Sequence, residues 1–339
     1  MTVRKNSESS IYDVAKNIAV LLVVVAHATR MYTSRGIITP INKSELLNYI
    51  TDYIYAFHMP LFIFLSGCIY AFCISQGKYK NNINFIKNKA KRLLIPYITV
   101  GLFAVAPVMT VLNLSKYNFL EYCLKGIILS LDSRHLWYLL SLFWIFVLAM
   151  FLRPLLIKSR FYRFIVLAIS FALYIIVWKV DAIPDILQFK TTLVYQIYFF
   201  AGVVFKYEFE LFEKISKKIH FVYWLMPVAF VSVIYFNTNG ITDKIFSFIG
   251  ILMALGISFC IVNFGEKILN TALYKNLKKN SFGIYLFHPL IIYTLFYFFG
   301  QYDINPYLLT LVAIVTSIFG SVLITELLRK LHLKIVIGE

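Results

Sequence analysis

Six histidines punctuate the chain of 339 residues, and four of them fall in or beside long apolar runs: His27, His58, His135 and His288. An imidazole with a pKa of about 6.5 is well matched to taking a proton from a hydroxyl near neutral pH. Around His27 the run IYDVAKNIAVLLVVVAHATRMY also carries Asp13, Lys16, Asn17 and Arg30. Lys16 and His27 are eleven residues apart, about three helical turns and 20°, so they share a face with roughly 16 Å of axis between them. Asp13 and Arg30 extend that stripe. Two readings stay open: a line of cation and imidazole with a function, or a snorkelling Lys16 with His27 near a helix end.

The other histidines come with their own signals. His58 stands two residues before Pro60, and Ser66-Gly67 follows about two turns later. A proline there frees backbone carbonyls and kinks the run, which fits either a cavity or a packing helix. His288 precedes Pro289, and Ser281, Tyr285 and His288, spaced four and three, line one helical face. In RHLWYL, His135 and Trp137 sit at a membrane interface, where tryptophan also serves as an anchor. Lys89 and Arg92, three apart at a span boundary, suit phosphate binding. His220, His332 and Glu326 read as interfacial. No GxxxxGKS/T, GxSxG or HExxH motif occurs. The four cysteines form no CxxC pair, so neither a disulfide nor a metal site is expected.

The elements that must hold these residues are membrane helices. The composition is 60% hydrophobic and only 14% charged, yet the formal net charge is +17 and the mean hydropathy +0.76. These values exclude disorder, collagen and an ordinary soluble domain. A basic excess in so apolar a chain signals topology rather than nucleic acid. Ten runs are long and apolar enough to count as spans: 11–32, 50–74, 93–114, 136–157, 164–179, 191–205, 219–237, 245–264, 281–300 and 307–328. Alternating sides places 23 of the 33 basic residues on one side and nine on the other, with Lys16 inside the first span. That asymmetry predicts both termini in the cytoplasm. The expected fold is all-α, one integral-membrane domain over 1–339, in the cell membrane. The loop 115–134 reads as an interfacial amphipathic stretch.

Taken in order, the motifs resemble membrane-bound acyltransferase family 3, in particular its branch of fucose 4-O-acetylases and other sugar O-acetyltransferases. They are Asp13-Val-Ala-Lys16-Asn17 with ten residues between Lys16 and His27, Phe57-His58-Met59-Pro60-Leu61-Phe62 with Ser66-Gly67, and Lys89-Ala-Lys-Arg92 before Pro96-Tyr97. His135-Leu-Trp137-Tyr-Leu, Tyr198-Phe-Phe-Ala-Gly202 and Ser281-Phe-Gly-Ile-Tyr285-Leu-Phe-His288-Pro289 follow. The similarity runs from about residue 10 to 328. It implies a ten-helix bundle that uses cytoplasmic acyl-CoA, acetyl-CoA by default and succinyl-CoA as an option, to acylate a sugar hydroxyl. His27 takes the place of the family's essential histidine. Lys16, Lys89 and Arg92 take the place of its basic residues, two of them as lysine where arginine is common.

The expected mechanism makes His27 the general base or a transient acyl carrier, with His288 or Ser66 as orienting or oxyanion-stabilising partner. Lys16, Lys89 and Arg92 would hold the CoA phosphates, and Asp13, Asn17, His58, His135, Trp137 and Tyr285 would contact substrate. The expected partners are acyl-CoA, a sugar or glycan acceptor and the bilayer, with no nucleic acid and with a homo-oligomer left open. The main alternative is a transporter or flippase for polysaccharide or lipid-linked sugar.

Overall fold

The computed structural model describes residues 2–180, 184–224 and 242–339. Among these there is no β-strand. The long helices are α1 (Thr2–Thr29), α2 (Glu45–Tyr55), α3 (His58–Ser75), α4 (Asn82–Val100), α5 (Trp137–Lys158), α6 (Arg160–Lys179), α7 (Phe189–Tyr207), α8 (Thr242–Phe264), α9 (Ala272–Phe299) and α10 (Pro306–Lys330).

Eight helical stretches among the described residues are long and apolar enough to cross a membrane. They match eight of the ten expected spans. The expected span 191–205 lies in α7, a 19-residue helix that carries Lys190 and Lys206 near its two ends and is not among the eight. Residues 225–237 of the expected span 219–237 lie outside the described residues. Large apolar side chains cover the outside of the bundle, with Phe103, Phe151, Phe161, Phe264 and Leu323 each at least 69% exposed. That surface belongs in lipid, and the chain is a multi-pass all-α membrane protein.

Helix α1 runs through the middle, packed against α3, α8 and α9, with Ile11, Ala15, Ala19, Val24 and Ala28 fully buried. Small residues make such burial cheap, because backbones can approach closely. Helices α3 and α7 press together by a reciprocal device. A Cβ on Gly67 would overlap the Phe199 carbonyl, and one on Gly202 would overlap the Phe64 carbonyl.

The expected kink at Pro60 takes a sharper form, because the chain breaks between α2 and α3 just ahead of it. Pro60 is then the third residue of α3, where its missing N–H costs nothing. The Ser247 hydroxyl donates to the carbonyl of Ala56 in the break, at 2.6 Å. The stretch 115–134 departs from a loop lying flat at the interface. After a π-helical turn over Tyr122–Ile128 it dips inward, so that Ser130 and Ser133 are 1% and 2% exposed. The Tyr97 hydroxyl donates to the Ile127 carbonyl at 2.5 Å and that of Tyr122 to the Asp132 carbonyl at 2.8 Å, pinning the descent.

Ion pairs gather the helix ends of one side. Glu8 of α1 meets Lys206 of α7 at 3.3 Å, and Asp13 meets Lys278 of α9 at 2.7 Å. Arg329 of α10 binds Glu326 and Glu339. The start of α1 and the end of α10 therefore lie at the same end of the bundle, the end rich in basic residues.

Candidate functional site

Two cavities enter the bundle from opposite ends. The first, of about 520 Å³, is lined by His27, His58, His135, Arg30, Tyr55 and Trp137 among others. His288 stands directly behind His27. Its Nε2 is 2.7 Å from His27 Nδ1, and the two rings stack with centroids 4.9 Å apart. The His135 ring lies 6.5 Å from that of His27 and 6.2 Å from that of His288.

Backbone carbonyls fix which nitrogen of each neutral ring carries the proton. His288 Nδ1 lies 2.7 Å from the Ile284 carbonyl, which only accepts, so Nδ1 is the donor and Nε2 a bare acceptor. His27 must then donate through Nδ1, which leaves its Nε2 lone pair free. His58 spends Nδ1–H on the Ile54 carbonyl at 2.8 Å, and His135 spends Nε2–H on the Leu286 carbonyl at 2.9 Å. His135 Nδ1 is buried without a partner. Two imidazole nitrogens, of His27 and His58, are thus left as acceptors at this cavity, while the bare nitrogen of His135 is closed off from it.

The outer wall is polar and strained. Ser130, Arg134 and Gln188 line it with φ of 58°, 52° and 60°, a left-handed backbone that non-glycine residues seldom adopt. Gln188 Nε2 donates to the Ser130 carbonyl at 2.8 Å and so ties two of them together. Arg134 Nε lies 3.0 Å from Asp132 Oδ1 but off the N–H direction, an ion pair without a hydrogen bond. Burial raises the Asp132 carboxyl above its ordinary pKa although Arg134 pulls the other way. Trp137 and Tyr195 pair at 5.0 Å as an aromatic side wall.

The second cavity, of about 360 Å³, opens at the basic end and is lined by Lys16, Ser66, Lys89, Arg92, Lys278 and Lys279 together with Phe62, Tyr138, Tyr285 and Glu339. Lys278 is paired with Asp13, and Lys279 with Glu326 at 2.7 Å. Lys16, Lys89 and Arg92 have no carboxylate partner among the described residues. Instead the Lys89 ammonium sits 3.8 Å from the Phe146 ring centre, with Tyr79 and Phe85 at 5.3 and 5.5 Å. Arg329 holds the Glu339 carboxyl below the usual carboxylate range, and Ile337 beside it is buried, so this short segment closes one wall.

Tyr285 lines both cavities. Its hydroxyl donates to the His135 carbonyl in a short bond, and its ring packs with Tyr138 at 5.5 Å and Phe62 at 6.4 Å. This aromatic wall separates the basic cavity from the histidines.

The structure brings His27, His58, His135, His288, Trp137 and Tyr285 to one place, and Lys16, Lys89, Arg92 and Ser66 to another. The Ser66 hydroxyl donates to the Phe62 carbonyl at 2.9 Å and lies on the basic side of the wall. Asp13 and Asn17 do not line the histidine cavity. Sequence reading passed over Tyr55, Arg35, Asp132, Arg134, Gln188 and Thr191. Arg30 carried a signal, being three residues, one helical turn, beyond His27.

A family model described as an acyltransferase domain matches residues 10–326. Among curated proteins none matches, and among solved structures none does. Over nearly its whole length, histidine cavity and basic cavity included, the chain belongs to acyltransferase family 3 and is an acyltransferase of multi-pass membrane type.

Proposed function

We propose that the chain transfers a short acyl group, acetyl by default, from cytoplasmic acyl-CoA to a hydroxyl of a cell-surface or lipid-linked sugar, in the cytoplasmic membrane. The observation that carries this reading is the relay from His27 through His288 to the Ile284 carbonyl, which leaves His27 Nε2 as a base facing a cavity. The hydroxyl proton goes to His27 Nε2 as the oxygen attacks the thioester carbon. The tetrahedral oxyanion collapses, the C–S bond breaks, and the imidazolium returns its proton to the thiolate sulfur. Positive charge on His27 is spread through the Nδ1–H bond to His288, a hydrogen-bonded chain in a dry setting.

The two bare imidazole acceptors of His27 and His58 suit an acceptor rich in O–H groups, and the Trp137–Tyr195 wall suits the face of a sugar ring. At the basic end the unpaired Lys16, Lys89 and Arg92 suit the phosphates of CoA. The pantetheine arm would run along Ser66 and Phe62 to the wall at Tyr285. A transporter would need no such tautomer-fixed base.

The test is His27→Ala in purified protein, followed as acyl-CoA-dependent release of free CoA with a sugar acceptor. Release falls to background while CoA binding persists. Turnover equal to the parent's would sink the base assignment. A stable acyl group trapped on His27 in the parent without acceptor would make it the carrier instead.

A further inference from the structure

Four charged side chains line the histidine cavity, Arg30, Arg35, Arg134 and Asp132, and they are not equally matched. Arg35 is ion-paired with Asp52, and Arg134 with Asp132 at 3.0 Å. Arg30 has no carboxylate partner among the described residues. Its guanidinium has five N–H groups, of which Nε donates to the Arg35 carbonyl at 3.0 Å and Nη1 to the Tyr55 hydroxyl at 3.1 Å. The remaining N–H groups have no acceptor among the described residues. The guanidinium also rests 5.2 Å from the centre of the Tyr55 ring, which fixes its plane.

We infer that the acceptor carries an acidic group, a sugar carboxylate or a phosphate, and that Arg30 binds it; the inference rests on the acyl-transfer reading above. A held, uncompensated guanidinium with spare donors is built for an oxyanion, since its geometry is already set before binding. The histidines beside it offer only lone pairs, which repel an anion and welcome hydroxyls. Hydroxyl recognition and anion recognition are thereby split between neighbouring groups. His27 is in the last turn of α1 and Arg30, three residues on, opens the 3-10 turn that continues it, so the two are neighbours with a rise of about 4.5 Å between them. The acidic group therefore lies about one sugar ring's width from the reacting hydroxyl, towards the cavity mouth where the Arg35 side chain is 54% exposed.

The experiment uses the full chain in lipid nanodiscs with acetyl-CoA and three acceptors: methyl β-D-glucoside, methyl β-D-glucuronide and glucose 1-phosphate. Release of CoA gives kcat/KM for each. In the parent at least one acidic acceptor exceeds the neutral glucoside by about tenfold or more, chiefly through KM, and which of the two does so tells carboxylate from phosphate. In Arg30→Gln that ratio collapses towards unity. Arg30→Lys, which keeps the charge but loses the fork, retains part of it. A neutral sugar as good as both acids in the parent overturns the inference, whatever the variants do. So does a preference for acid that survives in Arg30→Gln. CoA release that no sugar raises above the rate with water overturns the acyl-transfer reading itself, and the inference falls with it.

Discussion

His288 never reaches the histidine cavity's surface, yet it decides what His27 can do. Because its Nδ1–H is committed to the Ile284 carbonyl, its Nε2 can only accept. Remove that acceptor and His27 is free to put its proton on Nε2, the wrong nitrogen for a base. His288→Ala should therefore lower kcat by about 10²-fold or more with little change in KM for acyl-CoA, measured by CoA release at saturating acceptor. His288→Gln, whose amide oxygen can accept, should recover part of the loss. Equal kcat in His288→Ala and parent would remove His288 from the mechanism. Sequence showed both histidines on polar stripes of apolar helices. It could not show their pairing, because a 2.7 Å contact between residues 261 positions apart is a product of tertiary packing. Lys89 teaches the converse. Its charge and place at a span boundary were legible, and Tyr79 and Phe85 lie nearby in sequence, but Phe146 closes the aromatic cage from another helix.

Helices were the most legible level, because a run of about twenty apolar residues has few other fates in this composition. What escaped was irregular backbone. None of the left-handed residues Ser130, Arg134, Leu187 and Gln188 is a glycine that would announce it, and the π-helical turn over Tyr122–Ile128 holds only Gly126, which does not set it apart from an ordinary helical turn. Tertiary contacts hold them, such as the bond from the Trp144 indole to the Leu187 carbonyl at 3.1 Å. The Gly67–Gly202 contact shows the opposite case, where a local residue choice has a plain packing cause. A methyl group on either glycine would strike a carbonyl of the opposing helix, the least yielding neighbour available. Gly67→Ala or Gly202→Ala should each cost about 1–3 kcal/mol, read as a lowered Tm in detergent. An unchanged Tm would mean that α3 and α7 part without penalty. Ser66 and Tyr198 ride on those two helices, so activity should fall along with stability.

Over the whole molecule, the bundle is a pair of opposed entrances with a thin aromatic partition between them. The basic entrance has three cations to spare, the histidine entrance has lone pairs and one arginine to spare, and Tyr285 is lining to both. That division was half legible: the count of basic residues by side marked one end as the basic one, while the partition depends on three aromatic rings from α3, α5 and α9 meeting. Its thinness has an electrical consequence. Where aqueous clefts reach in from both sides, most of a membrane voltage drops across the short barrier that remains. On the proposed reaction the acyl group leaves sulfur for the sugar oxygen, and the hydroxyl's proton takes its place on sulfur. The sugar and CoA are each as charged after the transfer as before, so no net charge crosses a field in which one elementary charge would be worth about 2.3 kcal/mol per 100 mV. In sealed vesicles holding acyl-CoA inside, a potassium diffusion potential of either sign should leave the rate of CoA release unchanged. A rate that follows the sign would mean that the proton leaves by a route other than the sulfur. An enzyme open to both faces of a membrane would, by exchanging one proton for one acyl group, stay deaf to the battery it sits in.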